Sequence, residues 1–182
     1  MKLLLSTPEN IPPLIHQKIL SALQQHWPKG FEGENEGRTW LNRSEYHPIH
    51  VILIDNDRLV GQVAVVWKML TYQQKVYKTY GLSGLFINPL YQRRGHAVQL
   101  AKEAKAYIEK QDADLVLFTS SYVHLYEKAG FSLLEGTQLQ FGNGHTPQID
   151  PEPVLSLFIS EHAKKHYKSF TNAVIYFGQR LW

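Results

Sequence analysis

The strongest constraint on the fold is a pair of long, apolar, β-branched runs in the first half of the chain. One run covers residues 50–70 and is interrupted by an Asp/Asn turn at 55–58, and the other covers residues 76–87. Apolar runs joined by short polar turns are typical of β-hairpins. The sequence therefore predicts an antiparallel meander with strands at 50–54, 59–70 and 76–87.

An amphipathic helix is predicted ahead of this meander. Its apolar positions recur with the 3.6-residue period of one helix face. These positions are Ile11, Leu14, Ile15, Ile19, Ala22, Leu23 and Trp27. Pro12 and Pro13 are compatible only with the first turn of a helix, and Pro28 with Gly30 ends it. A short strand at 3–5 is predicted before the helix.

The second half of the chain alternates strands with helices. One helix is predicted to run from Gly95 to Ile108, and a shorter one ends at Gly130. The predicted strands lie at 114–119, 131–135, 138–141 and 154–160. A strand–helix–strand connection makes its two strands parallel, whereas a meander is antiparallel. The predicted fold class is therefore α/β, with a mixed sheet flanked by helices.

Length and composition restrict the classes of protein. The 182 residues suit a single domain, with residues 1–160 as its body and residues 161–182 as a C-terminal tail packed on it. The absence of cysteine excludes thiol nucleophiles, disulfides and thiolate metal sites. A net charge of +3 weakly favours anionic ligands and does not suit a nucleic-acid-binding protein.

The apolar patterning predicts a cytoplasmic protein without a membrane partner. No run approaches the roughly 18 apolar residues of a membrane span. The three leucines at 3–5 are too few for the core of a signal peptide. The oligomeric state is left open, with a homodimer among the options.

One strand–turn–helix segment carries a specific chemical signal. A strand ending at Ile87 runs through a tight turn into the helix that opens at Gly95. Backbone N–H groups at a helix start lack partners within the helix and add to its dipole, which makes an anion site. Gly95 lets a phosphate approach the backbone, and Arg93 and Arg94 add charge-assisted donors. The segment predicts a diphosphate site, unless Gly95 only makes the turn and the arginines are solvated.

The six residues of this turn resemble the Q/R-x-x-G-x-G/A signature of the GNAT acetyltransferases. They are Gln92, Arg93, Arg94, Gly95, His96 and Ala97. In that family the turn wraps the diphosphate of coenzyme A, and the strand before it offers backbone hydrogen bonds to the pantetheine arm. The resemblance implies that acetyl-CoA binds at these six residues and, on the strand, at Leu85, Phe86 and Ile87. It also implies the fold of the family, a single GNAT domain with a mixed, splayed β-sheet flanked by helices.

A second segment resembles the same family. Residues 118–131 match its strand, loop and Y-x-x-x-G-F sequence, with the tyrosine at Tyr126. In GNAT enzymes a tyrosine at this place often protonates the departing CoA thiolate, and a phenol with an ordinary pKa of about 10 keeps that proton at pH 7. The resemblance implies this role for Tyr126, with a packing role as the alternative. Ser120 either contacts CoA or caps the following helix, and Phe131 is expected in the core.

The meander and the C-terminal tail look like those of the aminoglycoside 2′-N-acetyltransferases. In those enzymes the tail ends in a tryptophan whose terminal carboxylate helps to hold a cationic amine, which implies substrate binding by Trp182 beside a structural alternative. A glutamate base of that family is replaced here by Ser83, which precedes Gly84, and an aspartate near the end is replaced by Arg180. Serine cannot act as a base at neutral pH, so the expected catalytic role of Ser83 is to position a water molecule. Ser83 and Gly84 are also expected to bind the substrate. Two lost carboxylates disfavour a polycationic aminoglycoside.

The general base that must deprotonate an ammonium acceptor is left unassigned. His47 and His50 are candidates because imidazole titrates near neutral pH. The flexible Gly/Glu-rich loop at 30–38 offers carboxylates that suit a cationic acceptor. They are Glu32, Glu34 and Glu36. His162 and His166 share a helix face, but a third ligand is not evident and no metal is expected.

These observations predict an N-acetyltransferase. The acyl donor is acetyl-CoA, the acceptor is a primary amine of a small molecule or peptide, and transfer is direct within a ternary complex. One alternative is a non-catalytic acyl-CoA-binding sensor, which the missing carboxylate at Ser83 suggests. A second is an aminoglycoside 2′-N-acetyltransferase, and a nucleic-acid-binding protein is a weaker third.

Overall fold

The computed structural model describes residues 1–143 and 145–182. Its strands are β1 (Lys2–Ser6), β2 (Ile49–Asp55), β3 (Arg58–Tyr72), β4 (Lys75–Ile87), β5 (Leu115–Thr119), β6 (Ser132–Leu133), β7 (Gln138–Phe141), β8 (Gln148–Ile149), β9 (Val154–Phe158) and β10 (Val174–Tyr176). Its α-helices are α1 (Pro13–His26), α2 (His96–Ile108), α3 (Val123–Lys128), α4 (Glu161–Lys165) and α5 (Tyr167–Phe170).

The strands that the structure describes form two sheets. The larger has the order β1-β2-β3-β4-β5-β9-β6, and the smaller has the order β10-β7-β8. In the larger sheet β1, β2 and β3 pair antiparallel, whereas β4 and β5 pair parallel. This mixed α/β arrangement confirms the predicted fold class. Contacts within the chain group it into two units, residues 1–66 with 82–104 and residues 67–81 with 105–182.

In the first unit, one face of α1 is buried in an apolar cluster with residues of β2, β3 and β4. The cluster contains Ile11, Ile15, Ile19, Leu23, Ile52, Leu59 and Phe86. The predicted helix face is confirmed at most of its positions, but Leu14 is 60% exposed, and Trp27, which lies just beyond α1, is 37% exposed. The hairpin turn places Asn56 and Asp57 at φ values of 43° and 64°, the left-handed conformation that matches the twist of two hairpin strands.

In the second unit, β5 lies between β4 and β9. Thr79 and Tyr80 of β4 are opposite Leu115 and Val116 of β5, and β9 pairs antiparallel with β5. The core of this unit also takes in the C-terminal segment. The buried residues that this segment contributes are Ala163, Phe170, Ile175 and Phe177.

Several predicted boundaries in the second half are wrong for local reasons. The strand expected at 131–135 shrinks to Ser132–Leu133, because the chain turns at Gly136 with a φ of 67°. The strand expected to reach residue 160 ends at Phe158, because the Ser160 hydroxyl accepts the Ala163 N–H at 3.1 Å and caps α4. The short elements β8, α4, α5 and β10 were not predicted as such. None of the described helices combines the length and the apolar character needed to cross a bilayer.

Candidate active site

The turn between β4 and α2 is held by its own polar side chains. The Asn88 side chain accepts the Leu90 N–H at 3.1 Å, and Gln92 Nε2 donates to the Ile87 carbonyl at 3.1 Å. The backbone then passes through left-handed conformations at Arg93 (φ 60°) and Gly95 (φ 82°) before α2 begins. The positive φ at Gly95 favours a residue without a Cβ, whereas close packing does not demand one there.

The space beside Gly95 is open. A methyl group placed on Gly95 would have no heavy atom within 4 Å, leaving aside its chain neighbours. The helix starts at His96, one residue later than predicted, and its first internal hydrogen bond runs from the Gln99 N–H to the Gly95 carbonyl at 3.0 Å. The first N–H groups of α2 therefore lie next to exposed Arg93 and Arg94. This donor set suits a diphosphate, so the residues present fit the anionic part of coenzyme A.

One of the two arginines of the turn, Arg94, lies beside an aromatic ring. The Arg94 guanidinium lies 5.9 Å from the centre of the Tyr91 ring, within the range of a cation–π contact. The Tyr91 hydroxyl in turn lies 3.4 Å from an Asp55 carboxylate oxygen. His96 Nε2 is buried and has no hydrogen-bond partner among the described residues. Arg94 is thus exposed but not a purely solvated side chain.

Ser83 and Gly84 lie half-buried on β4, held by side chains that the sequence analysis did not select. Asn42 Nδ2 donates to the Ser83 hydroxyl at 2.9 Å. Gln62 Nε2 donates to the Gly84 carbonyl at 2.6 Å. Gly84 has a φ of 58°, which interrupts the regular geometry of the strand. The signal for Gln62 was in the sequence, since it is a lone polar residue inside the apolar run at 59–66.

His50, one of the two histidines considered as a base, is buried. It is 1% exposed, its Nδ1 lies 2.7 Å from Gln62 Oε1, and its ring is 4.3 Å from the ring of Trp40. Burial lowers the pKa of His50 to about 4, against a smaller opposing effect of the hydrogen bond with Gln62. Such an imidazole is neutral at pH 7 and a poor proton acceptor. His47 is exposed, in a left-handed turn with a φ of 47°.

The glutamates considered for a cationic acceptor, Glu32, Glu34 and Glu36, are all exposed in the loop that follows α1.

In the second unit, Tyr126 is packed in an aromatic cluster. It is 7% exposed and lies against Phe118 and Phe131, with ring centroids 4.7 and 6.1 Å away. Burial raises the pKa of Tyr126 to about 12, partly offset by a hydrogen bond with Ser120. The Ser120 hydroxyl also accepts the Tyr122 N–H at 3.2 Å in the turn that leads into α3. Tyr126 therefore holds its proton firmly at neutral pH.

The side chain of Trp182, also in the second unit, is held by a hydrogen bond and a ring contact. Its indole N–H donates to the Leu117 carbonyl of β5 at 2.8 Å, and its ring packs edge-on against Phe177 at 4.9 Å. A methyl group on Gly81 would overlap the indole. The indole thus fills the position beside Gly81 and Leu117, one residue beyond the last pair of β4 and β5. The Arg180 side chain, two residues earlier, is exposed.

Comparison with known proteins agrees with this geometry. A sequence profile described as Acetyltransferase (GNAT) domain matches residues 15–134. The chain therefore belongs to the GNAT acetyltransferase family and is an acyltransferase. A comparison with curated protein sequences finds no significant match.

Solved structures show the same fold at low sequence identity. The GNAT family N-acetyltransferase YhbS of Escherichia coli, in complex with CoA, is 15% identical with a TM-score of 0.63, over 97% of this chain and 89% of that one. An aminoglycoside 6′-N-acetyltransferase complexed with coenzyme A is 13% identical with a TM-score of 0.57, over 86% of this chain and 97% of that one. A probable N-acyltransferase of Enterococcus faecalis V583 is 15% identical with a TM-score of 0.57, over 74% of this chain, which spans only 33% of that one.

Proposed function

We propose that this protein transfers an acetyl group from acetyl-CoA to a primary amine of a small molecule or peptide, by direct attack within a ternary complex. The observation that carries the proposal is the turn before α2, where Gly95 has a φ of 82° and open space beside it. Free helix N–H groups and the exposed Arg93 and Arg94 surround that space. Acetyl-CoA supplies the activated thioester.

The two proposed binding segments contact different parts of acetyl-CoA. Residues 92–97 bind the diphosphate through backbone N–H groups and the two arginines. The N–H groups of Leu85, Phe86 and Ile87 hold the pantetheine arm and polarise the thioester carbonyl, which is where negative charge develops during attack. Backbone donors suit this task because they need not reorganise as the charge forms.

Tyr126 acts as the proton donor in this proposal. The neutral acceptor nitrogen forms the new C–N bond, the C–S bond breaks, and the Tyr126 hydroxyl gives its proton to the departing thiolate. The proton that the acceptor nitrogen then loses restores the Tyr126 hydroxyl through solvent. Burial raises the pKa of Tyr126 to about 12, so the phenol carries its proton at pH 7, as a phenol of ordinary pKa also does. Ser120 hydrogen-bonds with Tyr126 and accepts the Tyr122 N–H, and a contact of Ser120 with CoA stays a prediction.

Deprotonation of the acceptor runs through a water held by Ser83, which relays the proton to bulk solvent. Asn42 donates to the Ser83 hydroxyl at 2.9 Å, so the serine proton is available to orient a water molecule. Trp182 is a proposed substrate-binding residue through its terminal carboxylate, because its indole N–H is engaged by Leu117.

Calorimetric titration of acetyl-CoA into the wild type and Gly95→Glu tests the proposal. A glutamate at Gly95 is strained and places a negative charge where the diphosphate binds, so binding should disappear. Gly37→Glu is a matched control, because Gly37 is exposed, has a φ of 78° and also has open space around it. Absence of binding to the wild type would reject the proposal, as would equal loss in both variants.

A non-catalytic acyl-CoA sensor is the second candidate. The observation that favours it is Ser83, which replaces a carboxylate base with a hydroxyl. A turnover screen with acetyl-CoA and a panel of peptides, polyamines and aminoglycosides separates the two. Turnover of any amine removes the sensor, and turnover confined to aminoglycosides with transfer to the 2′-amine supports an aminoglycoside 2′-N-acetyltransferase.

We also propose a cytoplasmic location, supported by the absence of cysteine in the sequence. A homodimer is a further option that sedimentation of the purified protein decides.

A further inference from the structure

A buried chain of hydrogen bonds ends at Gly84, and no step of the proposed reaction uses it. Gln62 of β3 is 1% exposed and donates from Nε2 to the Gly84 carbonyl at 2.6 Å. Its Oε1 lies 2.7 Å from Nδ1 of His50, which is also 1% exposed. Buried polar groups in apolar strands destabilise a fold unless they are hydrogen-bonded, and a bonded chain of them is rigid.

The partners of Gln62 leave only one orientation for its amide. A carbonyl oxygen can only accept, so the NH₂ group of Gln62 must face Gly84 and its oxygen must face His50. His50 therefore carries its proton on Nδ1 and donates it to Gln62. Its Nε2 is then an unprotonated acceptor, and this atom is buried without a hydrogen-bond partner among residues 1–143 and 145–182. A neutral imidazole in one tautomer thus holds Gln62 in place.

The peptide that Gln62 holds is the one that joins Gly84 to Leu85. No peptide bond between described residues is cis, and in a trans peptide the C=O and N–H groups point in opposite directions. With the Gly84 carbonyl bound on the side of Gln62, the Leu85 N–H is aimed to the opposite side. Leu23 and Leu41 also restrict this turn of the strand, since a methyl group on Gly84 would lie 3.1 and 3.2 Å from their side chains.

We propose that Gln62, oriented by His50, is a positioning residue that aims the Leu85 N–H at the thioester carbonyl of the acyl donor. The inference rests on the proposed function, in which the N–H groups of residues 85–87 polarise that carbonyl. Gln62 acts through the peptide and not by contact with the reacting atoms. An N–H group that is already oriented before acetyl-CoA binds stabilises the transition state more than one that must first rotate.

The test compares acetyl-CoA with CoA, because only acetyl-CoA carries the carbonyl. The amide resonance of Leu85 is followed by NMR in the ¹⁵N-labelled full chain, and both affinities are measured by calorimetry. In the wild type, Leu85 responds differently to the two ligands. In Gln62→Met, which keeps length but has no amide, that difference is lost and the preference for acetyl-CoA over CoA falls by about fivefold, the effect of one hydrogen bond. Affinity for CoA itself is unchanged.

The control is Thr79→Val, which changes a buried polar residue of β4. Thr79 is 0% exposed, and its hydroxyl donates to the Tyr77 carbonyl at 3.2 Å. This variant should keep the difference between the two ligands at Leu85. If Gln62→Met does not fold, Gln62→Asn replaces it, because an amide shorter by one methylene group cannot reach both partners.

The outcomes separate the inference from the proposed function. An unchanged difference at Leu85 in Gln62→Met or Gln62→Asn overturns the positioning role and leaves the proposed function intact. A wild type in which Leu85 responds identically to acetyl-CoA and CoA also overturns it. A wild type that binds neither ligand rejects the proposed function itself.

Discussion

At the scale of single residues, glycines with left-handed backbone have different roles in this chain. Gly84 and Gly95 both have positive φ, at 58° and 82°. Gly84 is surrounded by Leu23 and Leu41, so its missing side chain is also required by packing. Gly95 has open space around it, which leaves room for a ligand. The same residue type is therefore enclosed by side chains at one position and leaves open space at the other.

Replacing Gly95 by alanine should separate backbone strain from ligand access. Gly95→Ala and Gly37→Ala place a Cβ on backbones with φ values of 82° and 78°, and each should reduce the free energy of unfolding by about 1 kcal/mol. Only Gly95→Ala should weaken acetyl-CoA binding, since only its methyl group lies where the diphosphate approaches. Urea denaturation and calorimetry measure the two effects. Equal affinities in the two variants would contradict a diphosphate site at Gly95.

His50 should make the protein sensitive to acid. Its pKa is lowered from 6.5 to about 4, mainly by burial, and His16 on the far face of Trp40 contributes to the shift. Between these pH values the unfolded chain binds a proton that the folded chain does not, so stability is complete above pH 6.5 and falls as the pH approaches 4. The expected loss is on the order of 3 kcal/mol.

The measurement for His50 is urea denaturation of the wild type and His50→Leu at several pH values in this window. The variant should be less stable at pH 7, because Gln62 loses a partner, but its stability should decline less as the pH falls. Parallel declines in both proteins would assign the acid sensitivity to other groups.

Tyr126→Phe should separate chemistry from binding. With an amine found in the turnover screen, kcat should fall by about 100-fold, since the departing thiolate loses its acid. Calorimetry should give an unchanged affinity for acetyl-CoA. Tyr122→Phe is the matched control, because Tyr122 lies in the same segment and is 71% exposed. An unchanged kcat in Tyr126→Phe would make Tyr126 a packing residue.

At the scale of elements, the C-terminal segment is anchored to β3, β4 and β5 in the second unit. Lys68 of β3 lies over the Phe177 ring at 3.7 Å and donates to the carbonyls of Phe177 and Arg180 at 2.5 and 3.3 Å. Burial lowers the pKa of Lys68 to about 8, so the ammonium that makes these contacts still predominates at pH 7. Trp182 completes the anchor through Leu117.

Trp182→Ala should therefore destabilise the protein. The half-buried ring loses its contact with Phe177 and its hydrogen bond to Leu117, and the free energy of unfolding should fall by about 2 kcal/mol, less than for a fully buried aromatic residue. Val174→Ala, in the same segment but 52% exposed, should have little effect. Urea denaturation measures both. Equal stability of the wild type and Trp182→Ala would show that the tail is not anchored by this residue.

At the scale of the whole molecule, family membership follows from features that are local in the chain. The turn at 92–97 and the segment at 118–131 are short, and their backbone requirements are met by residues within them, such as Gly95 and Gly130, both with positive φ. The meander was predictable for the same reason, because alternation and turn chemistry are properties of neighbouring residues. The short C-terminal elements were missed because segments of three to five residues carry little periodic signal.

By itself, the sequence determined the α/β class, the meander, the amphipathic helices and the turn before α2, since all of these depend on residues close together in the chain. Only the tertiary structure decided which distant residues meet. Gln62 reaches Gly84 across 22 positions, Asn42 reaches Ser83 across 41, and Trp182 reaches Leu117 across 65. Such hydrogen bonds are set by strand register and by the path of the chain between elements, which no local pattern encodes. His50 was likewise considered as a base because the sequence does not show its burial or its contact with Gln62, which depend on the pairing of β2 and β3. In the structure it is a buried, neutral partner of Gln62.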